Sequence, residues 1–145
     1  MQGGDFRTPT SSFLGPTCML INHYGGSGGD AFPYFFRKMG LGPLIGMRTW
    51  GGLVGIHGSY PLMSGGAVTA SQFAVGDVAR EGPQWVVENI GVPPDMQVDN
   101  TPEKTSQGLD PQLDAAIESM LRELERRPVQ KPKRPPYHDW GRGGE

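Results

Sequence analysis

The sequence has little of what marks disulfide-bonded, membrane or metal-binding proteins. Cys18 is its one cysteine, so an internal disulfide is excluded and a small core residue is expected there. No hydrophobic run approaches the length of a membrane span, and no basic segment followed by an apolar one opens the chain. No cluster has metal-ligand spacing, and no Gly-Lys-Ser or Gly-Lys-Thr follows the glycines. We therefore expect a cytoplasmic protein with no metal, no cofactor and no membrane partner.

Charge and apolar residues are both modest in amount. The formal net charge of −2 argues against nucleic acid as the main partner of the chain. Its 145 residues fit one domain, but with 36% hydrophobic residues, 23 Gly and 14 Pro the core must come from the middle. The pattern predicts a lead-in at residues 1–14, a folded part at 15–127 and a basic, proline-rich, disordered tail at 128–145.

The most informative stretch is residues 17–39, which predict a strand, a glycine turn and a helix. Residues 18–21 are apolar and suit a strand buried on both faces. Asp30 is expected to cap a helix over residues 30–39, with Pro33 in its first turn and Gly40 as its stop. Residues 44–49 predict a second strand, and together these elements predict a parallel βαβ unit with a right-handed crossover.

Ser27 lies in this turn among four glycines, which permit a bend too tight for other residues. A hydroxyl at its apex would be exposed, with the amides of Gly28 and Gly29 near it at the start of the helix. Such amides can hold the oxyanion that forms when a serine attacks a carbonyl. The alternative is that Gly-Gly-Ser-Gly-Gly is a flexible surface connector.

The rest of the chain predicts further strands and one clear helix. A turn at residues 64–66 predicts a hairpin between residues 61–63 and 67–69, and two more strands are expected at 72–75 and 85–88. Residues 89–111 predict extended surface chain. Asp110 and Pro111 open a helix whose apolar stripe is expected to pack on the sheet; the stripe consists of Leu113, Ile117, Met120, Leu121 and Leu124.

Three stretches carry a resemblance to a known family: residues 28–52, from Gly-Gly-Asp-Ala-Phe-Pro to Arg-Thr-Trp-Gly-Gly, residues 87–95, Val-Glu-Asn-Ile-Gly-Val-Pro-Pro-Asp, and residues 110–114, Asp-Pro-Gln-Leu-Asp. The chain from 15 to 127 resembles the carboxy-terminal part of the catalytic domain in the tricorn branch of the tail-specific protease family of serine peptidases. The resemblance implies an α/β fold with a crotonase-like, or Clp-protease-like, core of stacked ββα units. This chain would carry the half that bears the nucleophile.

The resemblance also implies roles for individual residues. Ser27 matches the nucleophile, the Gly28 amide matches one oxyanion donor, and Glu88 matches a glutamate that orients the catalytic histidine. Other tail-specific proteases carry a basic lysine about 25 residues after the serine, where this chain has Gly52. A serine-lysine pair is therefore excluded, and the resemblance implies a histidine base and peptide substrates.

The base histidine of the family lies far upstream of the serine, so we expect it from a missing upstream segment or from another chain, in a homo-oligomer or with a partner. Of the histidines present, His23 is expected beside the sheet, His57 in a loop and His138 in the tail. Two alternatives remain open. The chain is an idle assembly or peptide-binding fragment, or it is a small esterase using His138 in the order Ser27, Glu88, His138.

The sequence also predicts roles for three other side chains. Trp50 and Tyr60 are candidates for lining a substrate pocket. Arg48 is expected at the surface or in a structural ion pair. The residue preference at the cleaved bond does not follow from the sequence.

Overall fold

A computed structural model describes residues 8–79, 82–133 and 135–136, without the side chains of residues 57, 59 and 79. His138 and the end of the tail lie outside the described residues. In chain order the elements are β1 (Met19–Ile21), α1 (Gly28–Lys38), β2 (Leu44–Gly46), β3 (Gly55–Pro61), β4 (Ala67–Phe73), β5 (Gly76–Ala79), β6 (Gly82–Trp85), β7 (Met96–Gln97), α2 (Pro102–Ser106) and α3 (Pro111–Arg126).

The centre of the fold is a parallel sheet in the order β1-β2-β7. Met19 pairs with Leu44 and Ile21 with Gly46, while Ile45 pairs with Met96 on the other side. The predicted parallel βαβ unit is therefore confirmed, although its second strand ends at Gly46 instead of residue 49. The middle strand is apolar because both of its faces are covered, and Leu44 and Ile45 are fully buried.

α1 begins two residues earlier than the sequence predicts. Ser27 occupies the N-cap position, so Asp30 lies inside the helix and is not its cap. Pro33 consequently falls in the second turn of α1 instead of the first. The helix ends as expected before Gly40, whose φ of 64° suits glycine and does not continue a helix.

The two faces of the sheet are covered by different helices. Ile21, Phe36 of α1 and Leu44 belong to one buried cluster, which also includes Leu53, Val87 and Val92. α3 contacts β1 and β2, with Gln112 and Ala116 buried there. Because alternate residues of a strand point to opposite faces, Ile21 faces the α1 side while Leu20 joins α3 side chains on the other.

The apolar stripe of α3 is less buried than expected. Leu113, Ile117 and Leu121 are 45%, 49% and 55% exposed, and Leu20 of β1 is 42% exposed. With Cys18 they line an open groove of about 380 Å³. Cys18 is half-buried, and burial raises the pKa of its thiol. The predictions that the stripe packs on the sheet and that residues 18–21 are buried on both faces are thus only partly met.

Residues 55–85 form two antiparallel hairpins. The hairpin predicted around residues 64–66 is present but longer, with β3 paired to β4 from Gly55–Phe73 to Pro61–Ala67. The strands expected at 72–75 and 85–88 are only partly met, because β4 ends at Phe73 and β6 ends at Trp85. The stretch between them holds β5 and most of β6, which pair with each other. His57 belongs to β3 and not to a loop.

Asp77 links the second hairpin, β5-β6, to α1. Its carboxylate accepts a hydrogen bond from the Tyr34 hydroxyl and forms an ion pair with Lys38. The bond to Asp77 raises the pKa of Tyr34 to about 12, while Lys38 and then Tyr34 lower the pKa of Asp77. The last turns of α1 and β5 are thereby joined through one carboxylate.

The stretch at residues 89–111 is more ordered than an extended surface chain. It contains β7, the outer strand of the sheet, and the short helix α2. Arg37 of α1 bonds to the Pro93 carbonyl at 2.5 Å and to Asp95 at 2.9 Å, and the Leu44 amide bonds to the other Asp95 oxygen at 2.7 Å. A strand of two residues gives too little periodicity to be recognised from sequence.

Two observations concern the remaining parts of the chain. Residues 128–133 carry neither helix nor strand, consistent with their prolines. No helix in the described part of the chain is long and apolar enough to cross a membrane.

Because Leu44 is fully buried, we expect its truncation to destabilise the chain. Leu44→Ala should lower the free energy of unfolding by about 2–5 kcal/mol, because a fully buried side chain leaves a cavity. The matched change Leu109→Ala removes the same atoms from a half-exposed loop residue and should cost no more than about 0.5 kcal/mol. Urea unfolding of both variants measures the difference, and equal losses would contradict the assigned core.

The N-terminus of α3 should respond to acid. Asp110 accepts the Leu113 amide at 3.0 Å and the Asn100 side chain at 2.8 Å, and these bonds lower its pKa. Because the pKa is lower in the folded chain, the cap stabilises above the unfolded value of roughly 4 and is lost as pH falls through the folded value. The amide shift of Leu113, followed by NMR, should report this titration. Asp110→Asn, which caps without titrating, should abolish it.

Candidate active site

Ser27 lies in the turn between β1 and α1, as the sequence predicts, and it is exposed. Its φ of 53° and ψ of −109° are unusual for a residue with a side chain, and such backbone strain concentrates at functional sites. The residue holds the N-cap position of α1, yet its hydroxyl makes no capping hydrogen bond. The hydroxyl therefore does not cap the helix, and its residue lies at the positive end of the helix dipole.

The amides after Ser27 are not both free. Gly29 donates its N–H to the Gly26 carbonyl at 2.8 Å, so the prediction that it is free is wrong. Asp30 and Ala31 both donate to the Ser27 carbonyl at 2.9 Å. Gly28 begins α1, and within the described residues no acceptor is found for its N–H. One amide next to Ser27 thus remains for an oxyanion.

Asp30 has a different partner from the predicted one. It is fully buried and accepts hydrogen bonds from the amides of Gly51 and Gly52, at 2.8 and 2.9 Å. The helix residue therefore binds a loop that lies far along the chain. This loop, residues 51–54, is called the amide strip below.

Glu88 binds the other half of the amide strip. One of its oxygens, Oε2, accepts from the amides of Leu53 and Val54 at 2.6 and 2.7 Å. Glu88 is half-buried in a turn after β6, so it is not a solvent-facing strand end. The residues on either side have positive φ, 73° at Val87 and 60° at Asn89, which is especially unfavourable for a β-branched residue.

The amide strip brings Ser27 and Glu88 together. The Gly52 carbonyl accepts the Ser27 amide at 2.9 Å, while the next nitrogen, that of Leu53, donates to Glu88 at 2.6 Å. The oxygen and nitrogen of one peptide unit are only about 2.2 Å apart, so Glu88 Oε2 lies within about 8 Å of the Ser27 nitrogen. The roles expected for Ser27 and Glu88 stay predictions.

Further bonds fix the start of the amide strip. The Trp50 amide donates to the Gly25 carbonyl at 2.9 Å, and the Asn89 amide donates to the Gly51 carbonyl at 2.8 Å. Gly51 has a φ of 89°, and a Cβ there would lie 2.7 Å from the Gly91 nitrogen. Only glycine fits at this position because both the conformation and the space exclude a side chain.

Trp50 and Arg48 surround the site in different ways. The indole of Trp50 is 65% exposed and lies against Gly26 and Gly52, where an added Cβ would approach it to 2.5 and 2.6 Å. Its ring therefore flanks the Ser27 turn. Arg48 is exposed, which confirms the surface alternative. It donates to the carbonyls of Thr49, Trp50 and Ile90 at 2.7–3.3 Å and forms no ion pair with a described residue.

The position of Gly52 explains why a lysine is unsuited there. Its nitrogen binds Asp30, its carbonyl binds Ser27, and the indole of Trp50 covers its α-carbon. A lysine side chain would displace that ring. The exclusion of a serine-lysine pair thus has a steric reason.

Among the histidine side chains that the structure describes, none is placed as a base at Ser27. His23 is exposed and packs its ring at 4.1 Å from that of Tyr24, so the prediction that it lies beside the sheet is wrong. No hydrogen bond joins it to Ser27 or Glu88. Tyr60 has an exposed ring and accepts from Gln72 at 3.4 Å. No group of three or more metal-ligating side chains occurs in the described ranges.

The sequence pattern did not indicate the partners of Asp30. An aspartate just after a turn is typical of a helix cap, and nothing in linear spacing links residue 30 to residues 51 and 52. The available signal was the pair Gly51-Gly52, which leaves backbone amides open to a close approach.

Comparison with known proteins agrees with this geometry. The model of peptidase family S41 matches residues 3–98. The chain is 42% identical over 127 residues to Tricorn protease of Thermoplasma acidophilum, and 40% identical over 124 residues to Tricorn protease homolog 1 of Streptomyces coelicolor. These alignments cover 88% and 86% of this chain but 12% and 11% of those relatives.

A solved structure gives the same result. The crystal structure of the tricorn protease superposes with a TM-score of 0.70 at 43% identity, covering 81% of this chain and 11% of that chain. The chain therefore spans a small part of the length of its relatives. On this evidence the chain belongs to peptidase family S41 and has the α/β peptidase fold of the tricorn proteases.

Proposed function

We propose that this chain is the nucleophile-bearing part of a serine peptidase that cleaves peptides. The observation that carries the proposal is the joining of Ser27 and Glu88 to one peptide unit, with Ser27 exposed and strained at the start of α1. The α/β fold is then half of a crotonase-like core. Membership of family S41 supports serine chemistry at this turn.

Ser27 attacks the carbonyl carbon of the peptide bond in the proposed reaction, and its proton passes to a histidine. The Gly28 amide stabilises the resulting oxyanion, helped by the positive end of α1. The amine then leaves with the proton of the imidazolium, and an ester remains on Ser27. Water hydrolyses that ester, and the carboxylic acid product and the free hydroxyl are released.

Glu88 orients the histidine in this proposal. Its Oε2 is held by two amides, so the carboxylate cannot rotate freely. Oε1 has no hydrogen-bond partner within the described residues and is the oxygen left to accept an imidazole N–H. A fixed carboxylate of this kind sets the tautomer and direction of a histidine base.

The histidine comes from polypeptide outside the described residues, either an upstream segment or another chain in a complex. Two features support a completing polypeptide. β1 is an edge strand of the sheet in the described residues, and the groove between β1 and α3 leaves Leu20, Leu113 and Ile117 open. Exposed apolar surface next to an unpaired edge is typical of an interface.

A hybrid enzyme can test the nucleophile. In it, the matching segment of the Thermoplasma acidophilum tricorn protease is replaced by this chain. Ser27→Ala should abolish fluorophosphonate labelling and reduce kcat by about 10⁴-fold or more, because the attacking oxygen is lost. Ser64→Ala removes another exposed serine from a glycine turn and should change neither readout. Labelling that survives Ser27→Ala would contradict the proposal.

Substitution of Glu88 should separate its two roles. In the hybrid, Glu88→Gln keeps an oxygen for the strip amides but turns an NH₂ group toward the histidine, so kcat should fall by about 10²-fold or more. The melting temperature should change little. Glu103→Gln, an exposed change in α2, is the control. Full activity of Glu88→Gln would show that Glu88 has only a structural role.

A further inference from the structure

Two carboxylates accept hydrogen bonds from four consecutive backbone amides. Asp30 accepts from Gly51 and Gly52, and Glu88 accepts from the next two residues of the amide strip, with distances of 2.6–2.9 Å. Each carboxylate comes from a different part of the chain. Each half of the amide strip is therefore held by its own carboxylate.

The burial of the Asp30 side chain is unfavourable by itself. Its side chain is 0% exposed, and within the described residues it has no cationic partner. A buried charge is destabilising unless hydrogen bonds replace its water, and here the two strip amides do so. A helix cap does not require such burial, since capping residues function at the surface.

Gly52 connects Asp30 to Ser27. Gly52 donates its amide to Asp30 and accepts the Ser27 amide on its carbonyl, at 2.9 Å in each case. A residue with a φ of 53° keeps that strained conformation only where its surroundings hold it. The Asp30 carboxylate fixes the partner that holds Ser27.

We propose that Asp30 is a positioning residue of the peptidase site. Through the amide strip it holds Ser27 in its strained conformation and keeps Ser27 in register with Glu88. Asp30 does not touch the reacting atoms. The expectation that loss of the Asp30 carboxylate reduces turnover rests on the proposed function. The structural coupling of Asp30 to Ser27 does not depend on it.

Amide hydrogen exchange in the native chain tests the coupling without any assay of activity. Asp30→Asn has the same shape but presents one NH₂ group to the strip, so one of the two amides loses its acceptor. The Ser27 amide should then exchange about 10-fold faster or more. The Met47 amide, which donates to Ile21 in the sheet at 2.9 Å, should keep its rate. Asp77→Asn, which changes a carboxylate that contacts α1 at Tyr34 and Lys38 and not the amide strip, is the matched control and should leave Ser27 unchanged.

Two results would overturn the coupling. The first is an unchanged Ser27 exchange rate in Asp30→Asn. The second is an equal increase at Ser27 and Met47, which would mean a general loss of stability. If Asp30→Asn does not fold, the native chain is measured instead. NMR should then detect scalar coupling across the hydrogen bonds, between the Gly51 and Gly52 nitrogens and the Asp30 carboxyl carbon. Absence of that coupling in the folded chain would overturn the inference.

Turnover in the hybrid enzyme tests the catalytic consequence. Asp30→Asn should lower kcat by about 10-fold or more with KM unchanged, because a displaced nucleophile affects the transition state more than substrate binding. A rise in KM alone, or unchanged kcat, would overturn the positioning role. A hybrid without activity even when Asp30 is intact counts against the proposed function, and the exchange measurement then still decides the coupling.

Discussion

The site depends on the hydrogen bonds made by the amide strip, residues 51–54. Its amides bind Asp30 and Glu88, and the Gly52 carbonyl binds the Ser27 amide. Without the strip, the turn after β1 and the turn after β6 would have no shared partner. Backbone groups can fill this role because they point in fixed directions, whereas long side chains must lose rotamer freedom to do so.

Unfavourable conformations gather around this strip. Ser27, Val87 and Asn89 all have positive φ, and they are the non-glycine residues that do so in the described part of the chain. Two of them flank Glu88, and the third bears the proposed nucleophile. Strained residues persist where neighbouring contacts over-determine them, and here the buried core residues Leu53 and Val87 lie beside the same bonds. The packing of the core thus supports the strain at the site.

The chain has a compact centre and an open periphery. Beside the central sheet, the turn after β1 holds Ser27, the proposed nucleophile, and the Gly28 amide proposed for the oxyanion, while the turn after β6 holds Glu88, which is proposed to orient the histidine. The open side, between β1 and α3, exposes apolar side chains that a sheet with helices normally covers. The alignments cover 12% and 11% of the two tricorn relatives.

The sequence by itself determined the turn that carries Ser27, the parallel βαβ unit around it, the hairpin at residue 64 and the helix opened by Asp110 and Pro111. These features follow from nearby residues, because glycine, proline and capping residues act on the neighbouring backbone, and a strand, a helix and a strand in close succession favour parallel pairing. The short strand β7 and the open stripe of α3 were not determined in this way, since β7 pairs with a distant strand and α3 packs on distant strands. The second hairpin is local, but the glycines and Pro83 in its strands are not typical of strand sequence. The tertiary structure also decided that Asp30 binds the amide strip instead of capping α1. The Asp30 carboxylate accepts hydrogen bonds from the buried amide of Gly51 and the half-buried amide of Gly52, and only folding brings these groups within hydrogen-bond distance.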